Sequence, residues 1–133
     1  MKEISAVSVL VVDDFQQWRS MVRAVLQGEL QLQLTAEAED GLEAVRQARK
    51  LQPDLVVLDI NLPGLNGIEA ARQIKSVSPS SEIVILSENH SAEVVEAALE
   101  KGASAYVVKS ACTRELIPAV KAALSGRQWH LAA

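Results

Sequence analysis

The chain of 133 residues is poor in several features that mark particular classes of protein. Its single cysteine, Cys112, has no partner for an internal disulfide, and the chain shows neither a signal peptide nor an apolar run of about 18 residues. Glycines are few, and no glycine-rich run follows the first apolar segment, which excludes P-loop and dinucleotide-binding sites. We therefore expect a cytoplasmic protein without a membrane segment.

The excess of one sign of charge over the other is also small. Acidic residues number 17 and basic residues 13, which gives a net charge of −4, and no run of like charges is longer than two. Direct binding of nucleic acid by this segment is therefore disfavoured. Apolar residues are abundant: the hydrophobic share is 49%, with only 3% aromatic. Such aliphatic residues commonly fill the space between a parallel sheet and its helices, and the length suits one domain.

Five segments have the pattern of β-strands. Four are short apolar runs without polar alternation, which is typical of strands covered on both faces. The fifth, residues 30–39, alternates apolar residues with Gln, Thr and Glu, which predicts a half-exposed strand at a sheet edge. The four apolar runs are Val7–Val12, Leu55–Leu58, Ile83–Leu86 and Ala105–Val108.

Between the strands, apolar residues recur at helical spacing. Five helices are predicted, with Ser91 as N-cap of the fourth and Gly28, Gly102 and Gly126 as stops after the first, fourth and fifth. Pro118 lies inside the fifth and is expected to kink it or to delay its start by a turn. The predicted inward positions include Phe15, Trp18, Val22, Val25 and Leu26 in the first helix, Leu42, Val45 and Ala48 in the second, Ile68, Ala71 and Ile74 in the third, Val94, Val95, Ala98 and Leu99 in the fourth, and Leu116, Ile117, Val120 and Leu124 in the fifth.

Five strands that alternate with five helices predict an α/β fold. With right-handed crossovers and the alternating strand at an edge, the expected architecture is a flavodoxin-like (βα)5 doubly wound parallel sheet with strand order 2-1-3-4-5. We expect residues 1–126 to form this domain and residues 127–133 to begin a linker or tail.

Polar residues follow the predicted strands, where such sheets bind ligands. Asp13 and Asp14 follow the first strand and Asp59 follows the third, while Ser87 and Lys109 stand at the ends of the fourth and fifth. Adjacent strands lie about 4.8 Å apart, and the long Lys109 side chain covers most of a gap of about 10 Å. One pocket can therefore hold all five side chains.

Three carboxylates in one pocket repel each other, by about 4 kcal/mol for two unit charges 4 Å apart at an effective dielectric constant near 20. A Mg²⁺ ion offsets that repulsion and also accepts phosphate oxygens. The turn formers after Asp59 predict a loop whose backbone near Asn61 curls over the site, where a main-chain carbonyl could be a further metal ligand. An exposed Asp59 oxygen could then attack phosphorus, with Lys109 neutralising charge and Ser87 donating a hydrogen bond.

Each of these residues also has a structural explanation. Asp13 and Asp14 fit an N-cap, Asp59 fits the start of a turn, and Ser87 fits a helix cap. Lys109 could protect a strand end. Their convergence at the ends of neighbouring strands favours a functional site.

Four stretches together resemble the receiver domain of response regulators, the CheY-like family. They are "SVLVVDDF", "DLVVLDINLPGLNGIEA", "IVILSENH" and "GASAYVVKS". The resemblance implies that Asp59 is the phosphoacceptor, that Asp14 is a direct Mg²⁺ ligand and Asp13 a water-mediated one, and that Lys109 contacts the phosphoryl group. It further implies that Ser87 and Tyr106 form a switch on phosphorylation.

The resemblance also implies partners. A sensor histidine kinase or phosphotransfer protein would supply the phosphoryl group, and the domain would catalyse only its own phosphorylation and dephosphorylation. A phosphorylation-dependent homodimer is expected. The "VVKS" variant and "ALSGRQWHL" resemble the NarL/FixJ (LuxR-type) subfamily, which implies control of transcription through a C-terminal DNA-binding domain absent from this chain.

Two residues depart from the family pattern. Glu88 follows Ser87 where relatives usually have a small residue, and Ser110 follows Lys109 where many have proline. Glu88 keeps open a phosphate-independent pseudo-receiver that acts as a docking module. A Mg²⁺-dependent aspartyl phosphohydrolase is a weaker alternative, because such enzymes carry an Asp-x-Asp arrangement after the first strand and a substrate cap.

Overall fold

The computed structural model describes residues 6–29, 31–125 and 129–130. The chain alternates strands and helices throughout this part. In chain order the elements are β1 (Val7–Val12), α1 (Gln16–Leu26), β2 (Leu32–Ala38), α2 (Gly41–Leu51), β3 (Leu55–Leu58), α3 (Gly67–Val77), β4 (Glu82–Ser87), α4 (Ala92–Glu100), β5 (Ala105–Val108), a 3-10 turn (Lys109–Ala111), α5 (Cys112–Leu124) and β6 (Trp129–His130).

The strands form one parallel sheet. Its order is β2-β1-β3-β4-β5-β6, which confirms the predicted order 2-1-3-4-5 and extends it by a two-residue strand. β2 lies at one edge, and its burial alternates between half-buried and exposed residues over Leu32–Thr35, as its sequence predicts. β6 pairs with β5, so β5 is an interior strand of the described sheet rather than an edge.

Helices cover both faces of the sheet. α2, α3 and α4 pack on one apolar layer, which includes Leu58 and Ile74. α1 and α5 pack on the other, which includes Val57 and Leu116. Successive residues of a strand alternate between these layers, so the continuous apolar runs are needed to fill both. None of the described helices has the length and apolarity to span a bilayer.

Three predicted inward residues are exposed instead. Phe15 is 58% exposed because it is the N-cap residue with extended backbone, so the helical spacing of α1 does not apply to it. Leu42 is 55% exposed because α2 turns its small residues inward: a Cβ on Gly41 would lie 2.1 Å from the Leu65 carbonyl oxygen. Leu124 is exposed at the last residue of α5.

Pro118 does not delay α5, which begins at Cys112 and includes the proline. Pro118 is exposed. Solvent can therefore bind the carbonyl oxygen that the missing N–H leaves without a partner. The predicted stop at Gly126 lies outside the described residues, whereas the predicted cap at Ser91 is confirmed, since its hydroxyl oxygen accepts a hydrogen bond from Val94 N at 3.2 Å.

Candidate functional site

The strand register brings the predicted site residues to one edge of the sheet. Val12 of β1 pairs with Leu58 of β3, so Asp13 and Asp59 are the next residues of neighbouring strands. The main-chain N–H of Asp59 donates to the Val12 carbonyl oxygen at 3.0 Å, which fixes that alignment. Both aspartates are buried, and each directly follows a run of four buried apolar residues.

Lys109 crosses the site from β5. Ser87 pairs with Val108 in the ladder between β4 and β5, which places Lys109 one residue further along. Its Nζ lies 2.8 Å from Asp13 Oδ2 and 3.3 Å from Asp59 Oδ2. The side chain therefore reaches past β4 and β3 to β1, further than the spacing of two strands that its sequence position suggested.

Burial and neighbouring charges have opposite effects on the pKa values of Lys109 and Asp59. Burial alone would lower the pKa of Lys109, but hydrogen bonds and charge from Asp13 and Asp59 outweigh burial and raise that pKa. Burial raises the pKa of Asp59, and the Asp13 charge adds to this, while Lys109 and the Asn61 N–H oppose it. One ammonium among three carboxylates thus leaves Asp59 incompletely compensated.

The two adjacent aspartates are held differently. Asp13 Oδ1 accepts a hydrogen bond from Phe15 N at 2.9 Å, and its Oδ2 contacts Lys109. Asp14 Oδ1 is a buried oxygen without any hydrogen-bond partner, the one such side-chain atom in the part of the chain that the structure describes. A buried oxygen without a partner costs stability, which makes Asp14 the carboxylate that gains most from binding a cation.

These three carboxylates have the arrangement of a cation site. One oxygen from each of Asp13, Asp14 and Asp59 lies within 4.8 Å of the others. Hard oxygen donors at such spacing, together with an unpaired oxygen on Asp14, fit Mg²⁺, which binds few carboxylates and retains several waters. The donor set therefore fits the cation that the sequence predicts.

The loop between β3 and α3 forms one wall of the site. Gly64 has φ 73°, as the third position of a type II turn requires, and Asn66 caps α3 by accepting from Glu69 N at 3.0 Å. A Cβ on Gly67 would lie 2.1 Å from the Asp59 carbonyl oxygen, so only glycine allows this approach. The loop and α3 border a groove of about 740 Å³ with Asp14; its lining includes Ile60, Asn61 and Pro63.

Asn61 lies within reach of the phosphoacceptor candidate. Its main-chain N–H donates to Asp59 Oδ1 at 3.4 Å, and the residue lines the same groove as Asp14. This contact orients the Asp59 carboxylate from the loop side, opposite to Lys109. The use of the Asn61 carbonyl as a metal ligand stays a prediction.

Ser87 and Tyr106 meet at the main chain of Asn89. The Ser87 hydroxyl oxygen accepts from Asn89 N at 3.2 Å, and the Tyr106 hydroxyl donates to the Asn89 carbonyl oxygen. Burial raises the pKa of Tyr106, the nearby Ser87 hydroxyl opposes that rise, and the Asp59 charge adds to it. The Tyr106 side chain is fully buried.

Two contacts at the site were not predicted from the sequence. Lys109 Nζ lies over the ring of Trp18, 4.7 Å from its centroid. Arg19 donates to the Asp13 carbonyl oxygen at 2.7 Å and pairs with Glu37 at 2.8 Å. The sequence feature that could have predicted these contacts is the position of Trp18 and Arg19, one turn after Asp13 and Asp14. Through these two residues, α1 contacts Lys109 and the main chain of Asp13.

Other singled-out residues lie apart from the carboxylates. Glu88 and His90 are exposed in the loop after β4, and Ser110 is exposed in the 3-10 turn. Cys112 is buried at the start of α5, where burial raises the pKa of its thiol and the Lys109 charge opposes that rise. Trp129 and His130 form β6 through their main chain.

Comparison with known proteins places this fold and site in a family. Residues 9–121 match the family described as the response regulator receiver domain. The chemotaxis protein CheY of Listeria monocytogenes is 37% identical over 101 residues, which cover 76% of this chain and 84% of that protein. The chain therefore belongs to the receiver domain family of two-component response regulators.

Its relatives include regulators of the NarL and LuxR type. The transcriptional regulatory protein DegU of Brevibacillus brevis is 34% identical over 120 residues, 90% of this chain but 51% of that protein. The chain thus spans about half the length of the curated relative it matches there. A LuxR-family response regulator from Aurantimonas sp. SI85-9A1 has a TM-score of 0.89 at 37% identity, covering 94% of this chain and 89% of that one.

Proposed function

We propose that residues 1–126 form a receiver that takes a phosphoryl group onto Asp59 from the phosphohistidine of a sensor kinase or phosphotransfer protein in a Mg²⁺-dependent reaction. The observation that carries this proposal is the carboxylate cluster itself: the buried Asp59, 3.3 Å from Lys109 Nζ, lies with Asp13 and with Asp14, whose Oδ1 has no hydrogen-bond partner. Family membership supports the reaction type, since accepting phosphoryl groups is general for receiver domains.

Each residue has a role that its contacts support. An Asp59 oxygen forms the new O–P bond while the N–P bond of the phosphohistidine breaks and its electron pair stays on the ring nitrogen. Lys109, already 3.3 Å from Asp59 Oδ2, neutralises charge on the transferred group. Ser87 at the end of β4 donates to a phosphoryl oxygen. Later attack by water restores Asp59 and releases phosphate.

Asp14 is the candidate direct ligand and Asp13 the water-mediated one. Asp14 Oδ1 has no partner to lose, whereas both Asp13 oxygens are engaged by Phe15 N and Lys109. When bound, Mg²⁺ supplies positive charge to the carboxylates and to the phosphoryl oxygens. The Asn61 carbonyl is proposed as a further ligand because the residue lines the groove with Asp14.

Phosphorylation is read out through Ser87 and Tyr106. A phosphoryl group adds about −1.5 to −2 charge at pH 7 and so attracts the Ser87 hydroxyl. That hydroxyl now accepts from Asn89 N, and Tyr106 donates to the carbonyl oxygen of the same residue. We propose that the loop after β4 moves with Ser87 while Tyr106, already buried, fixes its other end.

The output is proposed to be control of transcription. DegU is named a transcriptional regulatory protein, and its matched segment is 51% of its length. A DNA-binding domain in the remainder of such a regulator would act in response to a phosphorylation-dependent homodimer of the receiver. In this proposal the receiver performs only its own phosphorylation and dephosphorylation and turns over no other substrate.

Phosphoryl incorporation from phosphoramidate with Mg²⁺ tests the proposal. The wild-type chain should be labelled and Asp59→Asn should not. Asp54→Asn is the matched control, because Asp54 lies at the opposite end of β3, where its carboxylate accepts from Ser8 N at 2.9 Å. Equal labelling of all three proteins would refute the proposal, and no labelling of the wild type would favour the pseudo-receiver. Repeated release of phosphate from a free monoester would instead favour the phosphohydrolase.

A further inference from the structure

Trp18 lies in the first turn of α1, just after the acidic pair. It is half-buried against the apolar layer beneath that helix. Its ring also faces the site, because Lys109 Nζ lies 4.7 Å from the indole centroid. An ammonium within about 6 Å of an aromatic face is attracted to it. Lys109 therefore has three partners: two carboxylates and one aromatic ring.

These partners differ in what else they bind. Oxygens of Asp13 and Asp59 belong to the carboxylate cluster that fits a divalent cation, so their attraction for Lys109 depends on what the cluster holds. An indole face offers no oxygen to such a cation. Of the three partners of Lys109, Trp18 is thus the one that a cation in the site does not bind.

Packing alone does not require tryptophan at this position. Val22 and Leu26 are the fully buried residues of α1, whereas Trp18 is only half-buried. Lys109 is only 4% exposed, so water contributes little to its solvation. The ring takes part of that role, since attraction between an ammonium and an aromatic face strengthens as water is removed.

We propose that Trp18 is a positioning residue that holds the Lys109 ammonium against the phosphoacceptor site through its indole face. This inference rests on the proposed function, in which Lys109 neutralises the transferred phosphoryl group. It adds a consequence: the indole is coupled to the charge beside it, so its fluorescence reports the state of the site.

The first test uses that fluorescence. The chain has two tryptophans, so Trp129→Phe leaves Trp18 as the only one, and excitation beyond the absorption band of Tyr106 selects its emission. Adding Lys109→Met should change the emission yield or maximum, because it removes the ammonium from the ring face. Adding Mg²⁺ and then beryllofluoride should change the emission of Trp129→Phe, and Lys109→Met should abolish the beryllofluoride step. Emission that is identical with and without Lys109 would overturn the proposal.

The second test separates the aromatic face from simple packing. Trp18→Phe keeps a ring, whereas Trp18→Leu keeps only apolar volume. Single-turnover labelling with phosphoramidate should be about tenfold slower in Trp18→Leu, and Trp18→Phe should recover most of that loss. Equal rates for both variants would overturn the proposal, and melting temperatures show whether folding differs between them.

Failure here is distinguishable from failure of the proposed function. If Asp59→Asn is labelled like the wild type, the phosphoacceptor assignment falls. If Asp59→Asn is unlabelled while Trp18→Leu reacts at the wild-type rate, only the positioning role falls. If Trp18→Leu does not fold, the fluorescence test still decides, since it leaves Trp18 in place.

Discussion

The two ends of the parallel sheet both bury polar side chains, but they satisfy them differently. At the amino end, Ser81 donates to the Pro53 carbonyl oxygen and lies 2.6 Å from the Ser78 hydroxyl, while Lys75 donates to the carbonyl oxygens of Pro79 and Ser81. These buried hydroxyls are neutral, and each has a partner. At the carboxyl end, three carboxylates share one ammonium and a buried oxygen has no partner.

The difference indicates which end is built for stability and which for chemistry. A hydrogen-bonded network of neutral groups adds stability without a ligand, whereas an incompletely compensated cluster of charges costs stability until something binds. Composition does not separate the two ends, since each has serine, aspartate and one lysine. The two ends differ in whether each buried polar group has a partner within hydrogen-bond distance.

The largest expected difference between the two ends of the sheet is the loss of stability when the lysine at each end is replaced. Lys109→Met leaves Asp13 and Asp59 buried without a cation, so the free energy of unfolding should fall by about 3 kcal/mol and labelling should fall steeply. Lys75→Met removes hydrogen bonds from a more exposed ammonium, so it should cost about 1 kcal/mol and leave labelling intact. Urea unfolding without divalent cations measures both. Equal losses of unfolding free energy in the two variants would contradict the proposed difference between the two ends of the sheet.

Magnesium should stabilise the domain only through the carboxyl end. At a Mg²⁺ concentration 100 times its dissociation constant, the free energy of unfolding should rise by about 2.7 kcal/mol. Asp14→Asn should remove most of this gain because it changes the unpaired oxygen, and Asp54→Asn at the amino end should keep it. Thermal unfolding with a Mg²⁺ titration is the measurement. A full gain in Asp14→Asn would show that the cation binds elsewhere.

The pKa of Asp59 gives a pH dependence with a definite sign. That pKa is raised above 3.8 by burial, so the unfolded chain loses the proton at a lower pH than the folded chain. Ionisation of Asp59 therefore costs no stability well below pH 3.8, and its cost grows as pH rises through the folded pKa. Asp59→Asn should be more stable than the wild type at pH 7, and the difference should shrink on acidification. Urea unfolding curves recorded from neutral pH down to about the unfolded pKa check this. A difference that grows on acidification contradicts it.

Glu88 should have the smallest effect. It is an exposed carboxylate beside Ser87, so it repels an anionic phosphodonor only weakly. Glu88→Gln should speed labelling by acetyl phosphate about two- to fivefold at low salt, with less effect at high salt. His90→Gln, a neutral change in the same loop, is the control. A salt-independent gain would point to a steric cause instead.

Much of the fold and site follows from local sequence. Four continuous apolar runs predict interior strands, and because the carboxyl ends of parallel strands share one edge, Asp13, Asp59, Ser87 and Lys109 are expected together. In the structure Lys109 contacts Asp13 and Asp59, and Ser87 ends the strand between β3 and β5. This prediction depends only on where the strands end and how they align, and the apolar runs in the sequence indicate both.

Contacts between distant elements could not be predicted in this way. Tyr106 is buried in the apolar layer under α2, α3 and α4 and donates to the Asn89 carbonyl oxygen, and neither contact leaves a pattern near residue 106. The contact of Trp18 with Lys109 depends on how α1 lies over the sheet. Phe15 was misplaced because helical spacing was extended one residue before the helix begins.

The central claim is that Asp59 is the carboxylate that becomes phosphorylated. Borohydride reduction of the phosphorylated domain converts an aspartyl phosphate to homoserine, and peptide mass mapping locates it. The account predicts homoserine at residue 59 and unmodified aspartate at residues 13 and 14. Homoserine at either of those two positions, or none at residue 59 in a labelled protein, would contradict it.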